Sequence, residues 1–113
     1  MVMYSERQLN RVFSALADPT RRRMLSMLAR RERTAGDLGE PFRISQPAAS
    51  KHIRILRRAG LVSRQIQGRT HRFTFQAKPL EEAEKWIAQH RKFWESSLES
   101  LGRMLEEIQR GEQ

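Results

Sequence analysis

The 113-residue chain contains no cysteine. That absence excludes disulfides, thiolate metal sites and thiol catalysis together. No stretch approaches the roughly 18 consecutive apolar residues that a membrane helix needs. The N-terminal MVMYSERQLN lacks the apolar core of a secretion signal, so a cytoplasmic protein with no membrane partner is expected. Acid is missing from one long stretch: from Arg43 to Arg72 there are eight Lys or Arg and no Asp or Glu. A chain of this length is expected to form one domain, 1–113, with a modest core that gains from a partner.

The charge that is present is unevenly placed. Residues 1–78 hold 17 Lys or Arg against 5 acids, whereas residues 79–113 hold 5 against 8. A basic block followed by an acidic helical tail points to a polyanion-binding part and an assembly part. Membrane surface is the competing polyanion. The basic stretch, however, lacks the Trp, Phe and Leu stripe that an interfacial helix sinks into lipid.

At the centre of the basic block lies SQPAASKHIRILRRAGL, Ser45 to Leu61. Ser45 is a good N-cap, Pro47 falls in the first turn where its missing N–H costs little, and Gly60 suits a left-handed C′ position. Ala49, Ile53 and Leu56 recur at helical spacing as a buried stripe. Gln46, Pro47, Ser50, Lys51, Arg54, Arg57 and Arg58 make the opposite face. An ordinary solvated helix can also carry such a face. The order is what distinguishes it: base-reading groups lead and phosphate-binding groups follow.

Along the chain, Leu9, Val12, Phe13 and Leu16 predict a first helix from about Ser5 to Ala17. Asp18-Pro19 starts a second, with Met24, Leu25, Leu28 and Ala29 as its buried stripe. Arg21, Arg22 and Arg23 crowd its first turn, where the dipole disfavours cations, so a phosphate, a carboxylate or plain exposure must account for them. Thr34 with Asp37 caps a third helix of about two turns that Pro41 should stop. Phe42 to Ile44 then turns into the basic helix, which makes a helix-turn-helix pattern. After Gly60 the period becomes two: Val62, Arg64 and Ile66, a turn at Gln67-Gly68-Arg69-Thr70, then His71, Phe73 and Phe75 predict a hairpin. Leu80, Ile87, Trp94, Leu101 and Ile108 recur every seventh residue in a helix of about 79–108, roughly 45 Å long. Such a repeat asks for another helix alongside.

Taken in order, ALADPTRRRMLSML, SQPAASKHIRILRRAGLV and QGRTHRFTF resemble the ArsR-type winged helix-turn-helix transcriptional repressors, over about Leu9 to Phe75. The resemblance implies a mainly α fold with a small β-hairpin and a homodimer joined through first and last helices. It further implies double-stranded DNA as partner, through an inverted-repeat operator near the gene's own promoter. On the family's motif, Gln46, Pro47, Ser50 and Lys51 match the major-groove positions, Arg69 the wing tip, and Ser45 and Arg54 phosphate contacts. His52 and the hairpin's His71 join this DNA-binding set, with a local bond to backbone as the competing role for His52. The dimer would pack Leu9, Val12 and Phe13 with Trp94, Leu98, Leu101 and Leu105.

One departure bears on the effector. Metal-sensing members carry a cysteine pair before the recognition helix, or Asp and His ligands on the last helix. Here the first region reads TAGDLGEPF, and the last helix holds a single histidine, His90, which only across a dimer could meet Glu84 or Glu95. The resemblance is therefore to the metal-blind branch, with no metal and no cofactor expected. Catalysis would need paired carboxylates, a metal cluster or a nucleophile with its base, and His52, His71 and His90 lie on different elements, so no enzyme is expected. The alternative is an antitoxin-like or adaptor dimer whose winged helix docks a protein. Its weakness is a face of exposed cations where interface cores favour aromatic anchors.

Overall fold

The computed structural model describes residues 5–111. Met1–Tyr4, part of the stretch read above for a secretion signal, lie outside the described residues. Each of the first four α-helices starts at a side chain that satisfies an orphan N–H. Ser5 accepts from Gln8 N–H at 3.1 Å to open α1, Glu6–Leu16. Asp18 accepts from Arg21 N–H at 3.0 Å to open α2, Pro19–Arg30. Thr34 and Asp37 form a reciprocal capping box for α3, Ala35–Gly39. Ser45 accepts from Ala48 N–H at 3.2 Å to open α4, Gln46–Arg58.

Two strands follow, β2, Val62–Gln67, and β3, Thr70–Phe75, antiparallel with Gly68-Arg69 as a two-residue loop. A short strand β1, Arg33–Thr34, adds to the other side of β3, so the sheet runs β1-β3-β2. The last helix, α5, spans Lys78–Gly111. It continues through Gly102, since a mid-helix glycine costs about 1 kcal/mol and does not break a long helix.

The core gathers Val12 and Ala15 of α1, Met24, Leu25 and Leu28 of α2, Leu38, Ile53, Leu56, Leu61, Val62 and Phe73. Ala29 is exposed, contrary to expectation, and Met27 is partly buried against the core. A single methyl at the edge of the stripe cannot reach the core, whereas a flexible thioether chain can. Helix α3 ends at Gly39, two residues before Pro41, as expected; Pro41 itself sits early in a 3-10 turn, Glu40–Phe42, where its missing N–H costs little. A Cβ on Gly39 would lie 3.0 Å from that of Ala49, so only glycine lets α3 approach α4 this closely. Gly60 takes φ +75°, and the N–H groups of Gly60 and Leu61 return to the Arg57 and Leu56 carbonyls, a Schellman ending. That ending fixes where α4 stops and the hairpin begins.

Contacts divide the chain into two units, Met1–Ala83 and Glu84–Gln113. Within the first, Leu80 and Ala83 at the start of α5 pack on the core described above. The described residues of the second unit are helix alone, and a lone helix has no core of its own. From Arg91 onward every described residue is exposed, including Phe93, Trp94, Leu98, Leu101, Met104, Leu105 and Ile108. Among the described residues no helix is long and apolar enough to cross a membrane.

Candidate nucleic-acid interface

Helix α4 carries its buried stripe on Ala49, Ile53 and Leu56 and turns the other side outward. Gln46, Ser50, Arg54 and Arg57 follow one another at intervals of four and three, so they share one flank of that outer side. The hairpin stands opposite this flank. Together they enclose a groove lined by Gln46, Ser50, Arg54 and Arg57 from α4 and by Arg64, Arg69, Thr70 and His71 from the hairpin. Thr34, Ala35, Gly36, Ile53 and Phe73 complete its lining. Four guanidiniums line it and no carboxylate does. Such a surface attracts a polyanion before any specific contact forms.

The structure brings Gln46, Ser50, Arg54, Arg69 and His71 of the expected set into this one groove. Pro47 and Lys51 are exposed on α4 but outside the groove lining, and Ser45 is occupied as the helix cap. His52 is placed differently. It is half-buried, with Nδ1 3.3 Å from Arg21 and 3.9 Å from Asp18, so it turns toward α2. Helical spacing from Gln46 already pointed to Arg57. Arg64 joins only because the hairpin folds over α4. Arg72 instead lies 3.8 Å from Glu32, in a half-exposed pair.

The crowded arginines of α2 have neither a phosphate nor a carboxylate explanation in the main. Arg21 donates to the Ser14 and Ala15 carbonyls and Arg22 to that of Leu16, so both close the C-terminus of α1. Arg23 lies over the Phe42 ring at 4.9 Å. Val12 also requires a correction. It is fully buried inside the protomer, so it has no surface left to offer a dimer partner. Leu9 and Phe13 are only half-buried.

Asp18 holds the start of α2, and its carboxyl lies below the ordinary value of 3.8. The bond from Arg21 N–H is the main cause; desolvation opposes it, and the Arg21 and His52 charges add to it. A depressed carboxylate contributes stability that is present above the unfolded value and is lost as pH falls through the folded one. Asp18→Ala should therefore destabilise by about 1 kcal/mol at neutral pH in urea unfolding, and Asp18→Asn by less. As pH falls through the folded value, the gap between the Ala variant and the parent should narrow toward that of an uncharged cap. A gap of unchanged size there would show that the cap's charge contributes nothing.

Three helices, an N-terminal-capped reading helix and a basic hairpin beside it define a winged helix-turn-helix DNA-binding fold. The model of the bacterial regulatory protein, arsR family, matches residues 18–64. Transcriptional repressor SdpR of Bacillus subtilis is 37% identical over 79 residues, which cover 70% of this chain and 88% of that protein. A SmtB homolog of Synechocystis, a transcriptional repressor, is 42% identical over 61% of this chain and 52% of its own length. A solved ArsR family transcriptional regulator superposes with a TM-score of 0.76 at 38% identity, covering 85% of this chain and 98% of that one. The chain belongs to the ArsR family of bacterial regulatory proteins. It is a DNA-binding transcriptional repressor and not an enzyme.

Proposed function

We propose that the chain acts as a homodimer on an inverted-repeat operator near its own promoter. Each α4 enters a major groove, and each hairpin lies along the flanking backbone. The observation that carries this reading is the acid-free groove between α4 and the hairpin, with Gln46 and Ser50 at its leading end and four arginines around them. Two-fold pairing is supported by the exposed apolar row of α5, which one copy leaves open to water. The test is a titration of the duplex upstream of the gene at several salt concentrations. Affinity should fall log-linearly with salt, with a slope reflecting several phosphate contacts. Binding that ignores salt, or no binding to any upstream duplex, would favour a protein-docking role instead.

Regulation without metal belongs to the same reading. No cysteine is available anywhere in the chain, and among the described residues no group of three His, Asp or Glu could hold an ion. His90 has Nδ1 bonded to the Trp86 carbonyl at 2.8 Å and its ring stacked on Trp86 at 4.1 Å. Micromolar zinc, cadmium or arsenite should thus leave operator affinity unchanged. Stoichiometric zinc binding that releases DNA, and that His90→Ala abolishes, would contradict this.

A further inference from the structure

One guanidinium joins three helices of the first unit. Arg21 Nε donates to the Ala15 carbonyl at 2.8 Å, and one terminal nitrogen to the Ser14 carbonyl at 2.9 Å, at the end of α1. Its backbone N–H is held by Asp18 at the start of α2. The other terminal nitrogen lies 3.3 Å from Nδ1 of His52 on α4. A guanidinium has donors only, so at this contact Nδ1 is the acceptor and the neutral ring carries its proton on Nε2. Asp18 Oδ2 lies 3.9 Å from the same Nδ1. That oxygen already accepts from the Arg21 backbone N–H, and it can take a further bond from the ring only if Nδ1 bears a proton. The two neighbours therefore demand opposite states of one atom.

We infer that His52 is a positioning residue for the DNA-reading helix, held by Arg21 when neutral and by Asp18 when protonated. The inference rests on α4 being the helix that reads DNA. Protonation turns the Arg21 contact into one between two cations, and the new Nδ1–H must seek the carboxylate. His52 follows Lys51 on one rigid helix, so a change at this anchor is carried to Gln46, Ser50 and Lys51. The charged groups recorded at His52 are Arg21 of α2 and Asp18, its N-cap. From α1 come the Ser14 and Ala15 carbonyls that Arg21 holds; among the described residues Asp18 is the carboxylate in ion-pair reach of the ring. Operator affinity then falls on acidification.

Three variants separate this from a merely structural role. Asparagine places its amide oxygen near the position of Nδ1, whereas glutamine reaches the position of Nε2. Wild-type affinity should weaken about tenfold on acidification, the scale of one hydrogen bond to a charged group. His52→Asn should keep nearly wild-type affinity at pH 8 and lose that dependence. His52→Gln and His52→Ala should bind about tenfold more weakly already at pH 8. His71 is common to every variant, so the comparison between variants isolates His52. Nitrogen NMR of the imidazole reads the contact with no DNA present: at pH 8 Nε2 should be protonated and Nδ1 bare. A protonated Nδ1 at pH 8, a wild-type pH profile in His52→Asn, or wild-type affinity in all three variants would overturn the inference. If the wild type bound no operator, the DNA reading of α4 would fail while the NMR still decided the contact.

Discussion

Leu101→Asp should give monomers. Leu101 is 51% exposed and sits in a row with Trp94, Leu98, Leu105 and Ile108 on one side of α5. Phe93 and Met104 widen that row beyond a two-residue-per-heptad seam. Burying a Leu-sized side chain is worth about 1.5–3 kcal/mol, and a two-fold interface buries each one twice. An aspartate at the centre of the row replaces that gain with an unpaired charge taken out of water, on both copies at once. Operator affinity should fall with it by roughly 10²–10⁴, because a monomer loses the second half-site as an intramolecular event. Light scattering checks the first expectation and anisotropy on the operator the second. A variant that stays dimeric would move the interface away from the distal half of α5.

Reading and gripping should separate along α4. Gln46 and Lys51 are exposed within its first two turns, where a glutamine can pair with adenine and a lysine can donate to guanine. Their truncation should cost about 1–3 kcal/mol on the operator and much less on scrambled duplex. Arg54 lies farther along the helix, and Arg69 at the hairpin tip, where a cation meets the backbone or the negative minor groove. Truncating either should weaken binding to both duplexes and make the salt dependence shallower by about one unit of slope per contact. The measurement is each variant against both duplexes at several salt concentrations. Equal losses on both for Gln46→Ala and Lys51→Ala would mean that α4 grips the backbone only. Base readout would then lie in the hairpin or in DNA shape.

The helix starts were legible residue by residue because a cap is a local event. Ser5, Asp18, Thr34 and Ser45 each accept a bond from a backbone N–H three residues on, whatever the rest of the chain does. The same holds for the ending of α4, which needs only Gly60 and Leu61 beside it. The left-handed turn at Arg43, φ 52°, gave no such sign, since arginine is not the residue that conformation favours. Strand β1 was equally silent: two residues have no period, and they are extended only because β3 passes close enough to pair.

Local order and charge along the chain by themselves determined the reading helix, the basic hairpin and the apolar repeat of the last helix. These are short-range properties, set by hydrogen bonds and spacings within a few residues. What faces what was decided by tertiary structure alone. Arg21 closes α1 across the turn, Val12 goes inward, and His52 turns from the expected DNA face toward Arg21 and Asp18. A donor, a carbonyl or an imidazole looks the same in sequence whichever partner it meets. Only the packing of α1, α2 and α4 against one another settles which partner lies within reach.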